Sequence, residues 1–146
     1  MKLLVAIAAL AAAPVMAQSV GVTYETNKQE TQVFAKIQDF TLSAINVQNK
    51  GKSVKGFSVG YTHKFNEMFQ ATGTVGKLTN PFYEAQVRAS FQPAFVDYKM
   101  RATQGVYTHR GYAGLQHLVN KVNFEAGLVA YNTGHKGVLA QVSYKF

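Results

Sequence analysis

Tyr83-Glu84-Ala85-Gln86-Val87-Arg88-Ala89-Ser90-Phe91-Gln92-Pro93-Ala94-Phe95-Val96-Asp97-Tyr98-Lys99-Met100-Arg101-Ala102 is two runs of strict alternation about a turn. In the first run Tyr83, Ala85, Val87, Ala89 and Phe91 oppose Glu84, Gln86, Arg88 and Ser90; in the second Val96, Tyr98, Met100 and Ala102 oppose Asp97, Lys99 and Arg101. A period of two is that of a β-strand with one apolar face. Gln92-Pro93 breaks the pattern where a turn is needed. A loop of even length there pairs residues whose numbers sum to 185, setting Arg88 opposite Asp97, Glu84 opposite Arg101 and Gln86 opposite Lys99. Two opposite-charge pairs then share the polar face. An odd loop would join a polar face to an apolar one, which the alternation forbids.

The same split recurs outward in both directions. Phe57, Val59, Tyr61, His63 and Phe65 oppose Ser58, Gly60, Thr62 and Lys64; Phe69, Ala71, Gly73 and Val75 oppose Gln70, Thr72, Thr74 and Gly76. Val122, Phe124, Ala126, Leu128 and Ala130 oppose Asn123, Glu125 and Gly127. Three residues, Asn66-Glu67-Met68, suit the turn that sets Lys64 against Gln70 and Tyr61 against Gly73; the last hairpin is expected to set Phe124 beside Tyr144 and Val122 beside Phe146. Cutting at every break yields strands near 19–26, 31–37, 40–47, 54–65, 68–78, 82–91, 94–102, 110–118, 121–131 and 137–146. The count is ten, or eight if the less regular pieces merge. Glycines within these runs relieve crowding or permit the bends of a narrow barrel.

The chain of 146 residues carries 15 Lys and Arg, 7 Asp and Glu, no Cys and no Trp. One domain follows from the length, and the missing cysteine excludes disulfides, thiolate metal sites and a lipoprotein's acylated residue. At the N-terminus Met1-Lys2 precede an apolar stretch, Leu3 to Ala13, and then Pro14-Val15-Met16-Ala17. This reads as a secretory signal peptide over 1–17, with the barrel domain over 18–146. The competing membrane helix needs about 20 apolar residues, and the run stops short. Cleavage there removes Lys2 and no acid, so the formal charge of +8 becomes +7.

Alternation alone does not say which face is wet. In a soluble barrel the apolar face points inward around an apolar ligand; in a membrane barrel it meets lipid and the polar face lines the lumen. Three features favour lipid. The polar face is rich in Ser, Thr, Gly and Gln, with its charges opposed. Unpaired basic residues, Lys28, Lys50, Lys52, Lys55, Lys77, Arg110 and Lys136, gather at breaks and strand ends. Finally, Val138, Ala140, Val142, Tyr144 and Phe146 alternate with Leu139, Gln141, Ser143 and Lys145.

This ending, with the N-terminal segment and the alternating strands, resembles the small outer-membrane β-barrel proteins of Gram-negative bacteria, the porin-like and opacity-type superfamily of eight to ten strands. The resemblance implies an all-β, antiparallel up-and-down transmembrane barrel. It implies that Val142, Tyr144 and Phe146 form the assembly machinery's recognition signal. It also implies outer-membrane lipid, that machinery and periplasmic chaperones as partners, with the mature protein a monomer. Lacking Trp, the aromatic girdles must be built from Phe and Tyr.

An even strand count leaves both termini on the periplasmic side, with short turns there and longer loops outside. The outer segments then hold the seven basic residues named above against Glu25 and Glu30, a rim placed to meet the phosphates of lipopolysaccharide. The alternative is that these amines are simply solvated. The lumen receives Lys64, Arg88, Lys99, Arg101 and Lys145 against Glu84, Asp97 and Glu125, a charge network that plugs the barrel or leaves a narrow, anion-preferring path. No nucleic-acid motif, metal-ligand spacing or phosphate loop is present, and no cofactor is expected. Of the histidines, His63 and His117 fall near periplasmic ends and His109 and His135 in separate outer loops. An enzyme acting on lipid or peptide therefore stands only as an alternative to a structural, surface-interaction or narrow-channel role.

Overall fold

The computed structural model describes residues 18–26 and 29–146. The segment read as a signal peptide, and Lys28, lie outside them. Ten strands follow one another: β1 (Ser19–Glu25), β2 (Glu30–Ile37), β3 (Phe40–Asn49), β4 (Lys52–Lys64), β5 (Phe69–Lys77), β6 (Pro81–Phe91), β7 (Ala94–Thr103), β8 (Val106–Val119), β9 (Val122–Tyr131) and β10 (Lys136–Lys145). Each pairs antiparallel with its chain neighbours, and β1 pairs with β10, so the sheet closes on itself. The protein is an all-β, up-and-down barrel of ten strands, and closure leaves no unpaired edge. Following opposed pairs once around returns to the starting strand displaced by about twelve residues, a stagger that tilts the strands by about 40°.

The central hairpin has the register its charges demand, with Arg88 opposite Asp97 and Glu84 opposite Arg101. Around Asn66 the three-residue turn also holds: the Asn66 side-chain oxygen accepts from the backbone N–H of Met68 and of Phe69, and Lys64 faces Gln70. The final hairpin differs from expectation by two residues, pairing Phe124 with Val142 and Val122 with Tyr144. Gly134, at φ +87°, closes a tight three-residue loop in which Tyr131 N–H donates to the His135 carbonyl, centring the hairpin one residue earlier.

Two strands begin earlier than the breaks suggested. Lys50-Gly51 and Gln104-Gly105 are two-residue turns with positive φ throughout, at 48° and 77° and at 49° and 77°. Such turns match the twist of the strands they join. They let β4 start at Lys52 and β8 at Val106. As a result the connections at both ends are short, and the expected contrast between short periplasmic turns and long outer loops is slight.

The faces are inverted relative to a soluble barrel. Phe57 is 59%, Val59 39% and Val87 52% exposed on the outer wall. Phe40, Tyr61, Phe65, Phe69 and Tyr144 ring it toward the end that holds the termini, and Tyr24, Phe57, Tyr83, Tyr98 and Tyr107 toward the other. The core is the lumen, where Phe34, Ile45, Phe82, Phe95, Tyr112, Val129 and Leu139 are buried among the polar groups.

Candidate functional site

Glycines on the inner face make room for the rings that fill the lumen. A Cβ on Gly76 would stand 2.4 Å from the Phe82 ring, and one on Gly21 2.5 Å from the Phe34 ring. Gly114 and Gly127 face each other across β8 and β9, and a Cβ on either would meet backbone oxygen at 2.2 Å. Beside them Phe95 packs edge-on against Tyr112 with centroids 4.8 Å apart, and the Arg88 guanidinium lies 4.3 Å from the centre of the Phe95 ring. These positions carry no bulk because the barrel is narrow, and the aromatic rings are the filling.

Across the remaining lumen runs a chain of ion pairs. Arg88 on β6 donates to Asp97 on the adjacent β7 at 2.7 Å and, across the barrel, to Glu125 on β9 through two bonds of 2.8 and 2.9 Å. Asp97 also accepts from Gln86 at 3.0 Å and lies 3.4 Å from Arg110 on β8. Arg110 reaches Glu25 on β1 at 3.8 Å, and Glu25 accepts a hydrogen bond from the Tyr131 hydroxyl. A second group links Arg101 to Glu84 at 2.8 Å and Glu30 at 3.6 Å, with Lys99 3.6 Å from Glu84. Ion pairs removed from water persist when their members are hydrogen-bonded on several sides, as Arg88 and Asp97 are.

Between the two groups a cavity of about 20 Å³ remains, lined by Glu25, Glu30, Glu84, Lys99, Arg101, Thr108, Arg110 and Tyr131. That volume holds about one water molecule. Side chains from β1, β2, β6, β7, β8 and β9 thus meet across the loop-side half of the lumen around that cavity.

Most of the inward assignments made from the pattern meet here: Glu84, Arg88, Asp97, Lys99, Arg101 and Glu125 form the paired core. Lys64 and Lys145 are inward by register but sit exposed at the termini end, outside it. Arg110 is a correction. Assigned to the rim, it is 8% exposed and belongs to the lumen network, because β8 starts four residues before it and its even-numbered residues face in. Glu25 and Glu30 move inward with it, so the acids credited to the rim are lumen acids. Lys50, Lys52, Lys55, Lys77 and Lys136 are exposed at the loop end. Val142, Tyr144 and Phe146 point outward and are exposed, with the Tyr144 and Phe146 rings 5.3 Å apart.

The apolar filling of the lumen escaped the sequence reading, although Phe82, Phe95 and Val129 all fall in polar-face register, a mark of an interior filled by packing. His109 is likewise not in a loop: it faces outward from β8, its ring nitrogen hydrogen-bonded to the Tyr98 hydroxyl.

Among solved structures the chain aligns with the KdgM porin over 88% of its own length and 99% of that chain, at 11% identity and a TM-score of 0.55. It has the fold of a small porin. The KdgM porin in complex with disordered oligogalacturonate matches over the same shares at 11% identity, with a TM-score of 0.53. No family model matches the sequence, and no curated protein does.

Proposed function

We propose that this protein is an integral outer-membrane β-barrel of a Gram-negative bacterium, with a structural, surface-interaction or narrow-channel role and no catalytic one. The observation that carries the reading is the radial inversion. Leu, Val, Phe and Tyr cover the outer wall, while the carboxylates of Glu25, Glu84, Asp97 and Glu125 are buried inside. In water that arrangement exposes a continuous apolar belt and hides charge, whereas in a bilayer each face meets its own kind of surroundings. Strands β3 to β10 run nine to fourteen residues, enough to cross a hydrocarbon core at the observed tilt. The porin fold supports the same placement.

The neighbour seen with oligogalacturonate raises the question of an oligosaccharide passage. A sugar chain needs a continuous lumen, and the cavity left among the ion pairs accommodates about one water. The ion pairs that cross the lumen therefore favour traffic of water and small ions over a sugar chain. On the orientation expected for an even strand count, Lys50, Lys52, Lys55, Lys77 and Lys136 face outward from the cell, where lipopolysaccharide phosphates lie. Against catalysis stands the placement of the histidines: among the described residues none is hydrogen-bonded to a carboxylate or a serine.

The test is refolding of the mature chain with and without detergent micelles, read by electrophoresis of boiled and unboiled samples. Heat-modifiable migration that requires detergent is the expected result, followed by conductance steps in planar bilayers no larger than those of a water-and-ion path. A monomer that folds cooperatively in plain buffer would overturn the membrane reading.

A further inference from the structure

The lumen charges are sorted along the barrel axis. Every inward acid, Glu25, Glu30, Glu84, Asp97 and Glu125, is committed to an arginine, lysine or tyrosine partner at mid-height or toward the loop end. At the termini end the inner face carries amines instead. Lys36 and Lys145 both stand opposite Ser19, on the strands to either side of it, so their backbones are about 10 Å apart across two strand spacings. Lys64 closes the inner face of β4 at the same end, opposite Gln70.

Among the described residues no carboxylate comes within ion-pair distance of these three amines. The Lys36 ammonium instead lies 5.8 Å from the centre of the Phe34 ring. Glu125, the nearest inward acid by register, is held by two hydrogen bonds from Arg88. The other carboxylates at this end are those of Asp39 and Glu67, exposed in turns, and the C-terminal one of Phe146, none of them within ion-pair distance of these amines.

We propose that this end of the lumen is a blind vestibule that binds a small multivalent anion, a polyphosphate or polycarboxylate, between Lys36, Lys64 and Lys145. Three inward amines share the termini-side end of the lumen, and the low-dielectric wall around it focuses their field on whatever occupies it. Ser19 and Gln70 add neutral hydrogen-bonding groups between and beside them. Because the plug lies directly behind, an anion enters and leaves by the same mouth. The inference rests on the barrel and its register and does not depend on conductance or membrane placement.

Titration of the folded barrel in zwitterionic micelles with tripolyphosphate, followed by calorimetry and by amide NMR shifts, tests this. Expected are saturable binding at low ionic strength that weakens with salt, and shifts confined to the termini-side halves of β1, β2, β4 and β10. Lys64→Gln with Lys145→Gln, both at exposed positions where folding is undisturbed, should weaken binding at least tenfold. The same two changes at Lys50 and Lys52, on the loop end, should leave it within twofold. Binding lost in the loop-end variant and kept in the Lys64/Lys145 variant would overturn the site. So would absence of saturable binding to the unaltered barrel.

Discussion

Asp97→Ala is the sharpest test of a dry, ion-paired lumen. The Asp97 side chain has no exposed surface, and it accepts from Gln86 while pairing with Arg88 at 2.7 Å and Arg110 at 3.4 Å. With an effective dielectric of about 20 and charge centres about 4 Å apart, each pair is worth about 4 kcal/mol of attraction before desolvation. Removing the carboxylate recovers its own desolvation cost. It leaves Arg88 with Glu125 alone and Arg110 with only the longer 3.8 Å contact to Glu25. The net loss expected is about 3–5 kcal/mol, the range for breaking a buried pair on one side. Asp97→Asn, which keeps the shape and an acceptor for Gln86, should lose roughly half of that. Adding Arg110→Ala to Asp97→Ala should cost less than the two singles together, with a coupling of about 2 kcal/mol. Reversible urea unfolding in micelles, followed by circular dichroism, gives each value. A loss below about 1 kcal/mol for Asp97→Ala, the range of solvent-exposed pairs, would refute the reasoning, because it would mean that water already solvates both arginines.

Three further outcomes follow from the same structure. Gly76→Ala places a methyl 2.4 Å from the Phe82 ring and should cost about 1–3 kcal/mol in the same assay, with Phe82→Leu restoring part of it; Gly73→Ala, facing open space, should be neutral. Val87→Arg, on the outer wall at mid-strand, should reduce stability in lipid vesicles by about 2–4 kcal/mol, and an unchanged stability there would place that face away from lipid. Lys99→Glu with Arg101→Glu brings two new carboxylates to Glu84 and Glu30; any current should turn toward cations in planar bilayers, and unchanged ion preference would mean these groups do not line the path.

The fold was legible because the strands alternate cleanly and the opposed charges admit one register at the central turn. Arg88 faces Asp97 and Glu84 faces Arg101 as their spacing about Gln92-Pro93 requires. What escaped was set by turns whose residues are not distinctive. Gln104-Gly105 takes up a two-residue turn with positive φ at both positions, and only glycine does so without steric cost. A longer loop was the plain reading of Thr103 to Arg110, and it carried Arg110 to the rim. Once β8 begins at Val106, the alternation alone turns Arg110 inward. The cross-barrel bonds from Arg88 to Glu125 and from Tyr131 to Glu25 are beyond a strand-by-strand reading, since they depend on how the stagger brings distant strands to one height.

That stagger is also what gives the interior its two characters. Arg88 and Glu125 lie on strands three apart in the sheet, yet their side chains meet because the tilt carries β9 to the level of the central hairpin. The same displacement lifts Glu25 and Glu30, at the loop-side ends of the shortest strands, into contact with Arg110 and Arg101. Every acid on the inner face is consumed in this way above the termini-side mouth, and Lys36, Lys64 and Lys145 are left over below it. A different stagger with the same sequence would bring other residues to the level of those amines. The plug and the basic vestibule are therefore one consequence of register, and a change that shifts the closing β1–β10 pairing by two residues should alter both together.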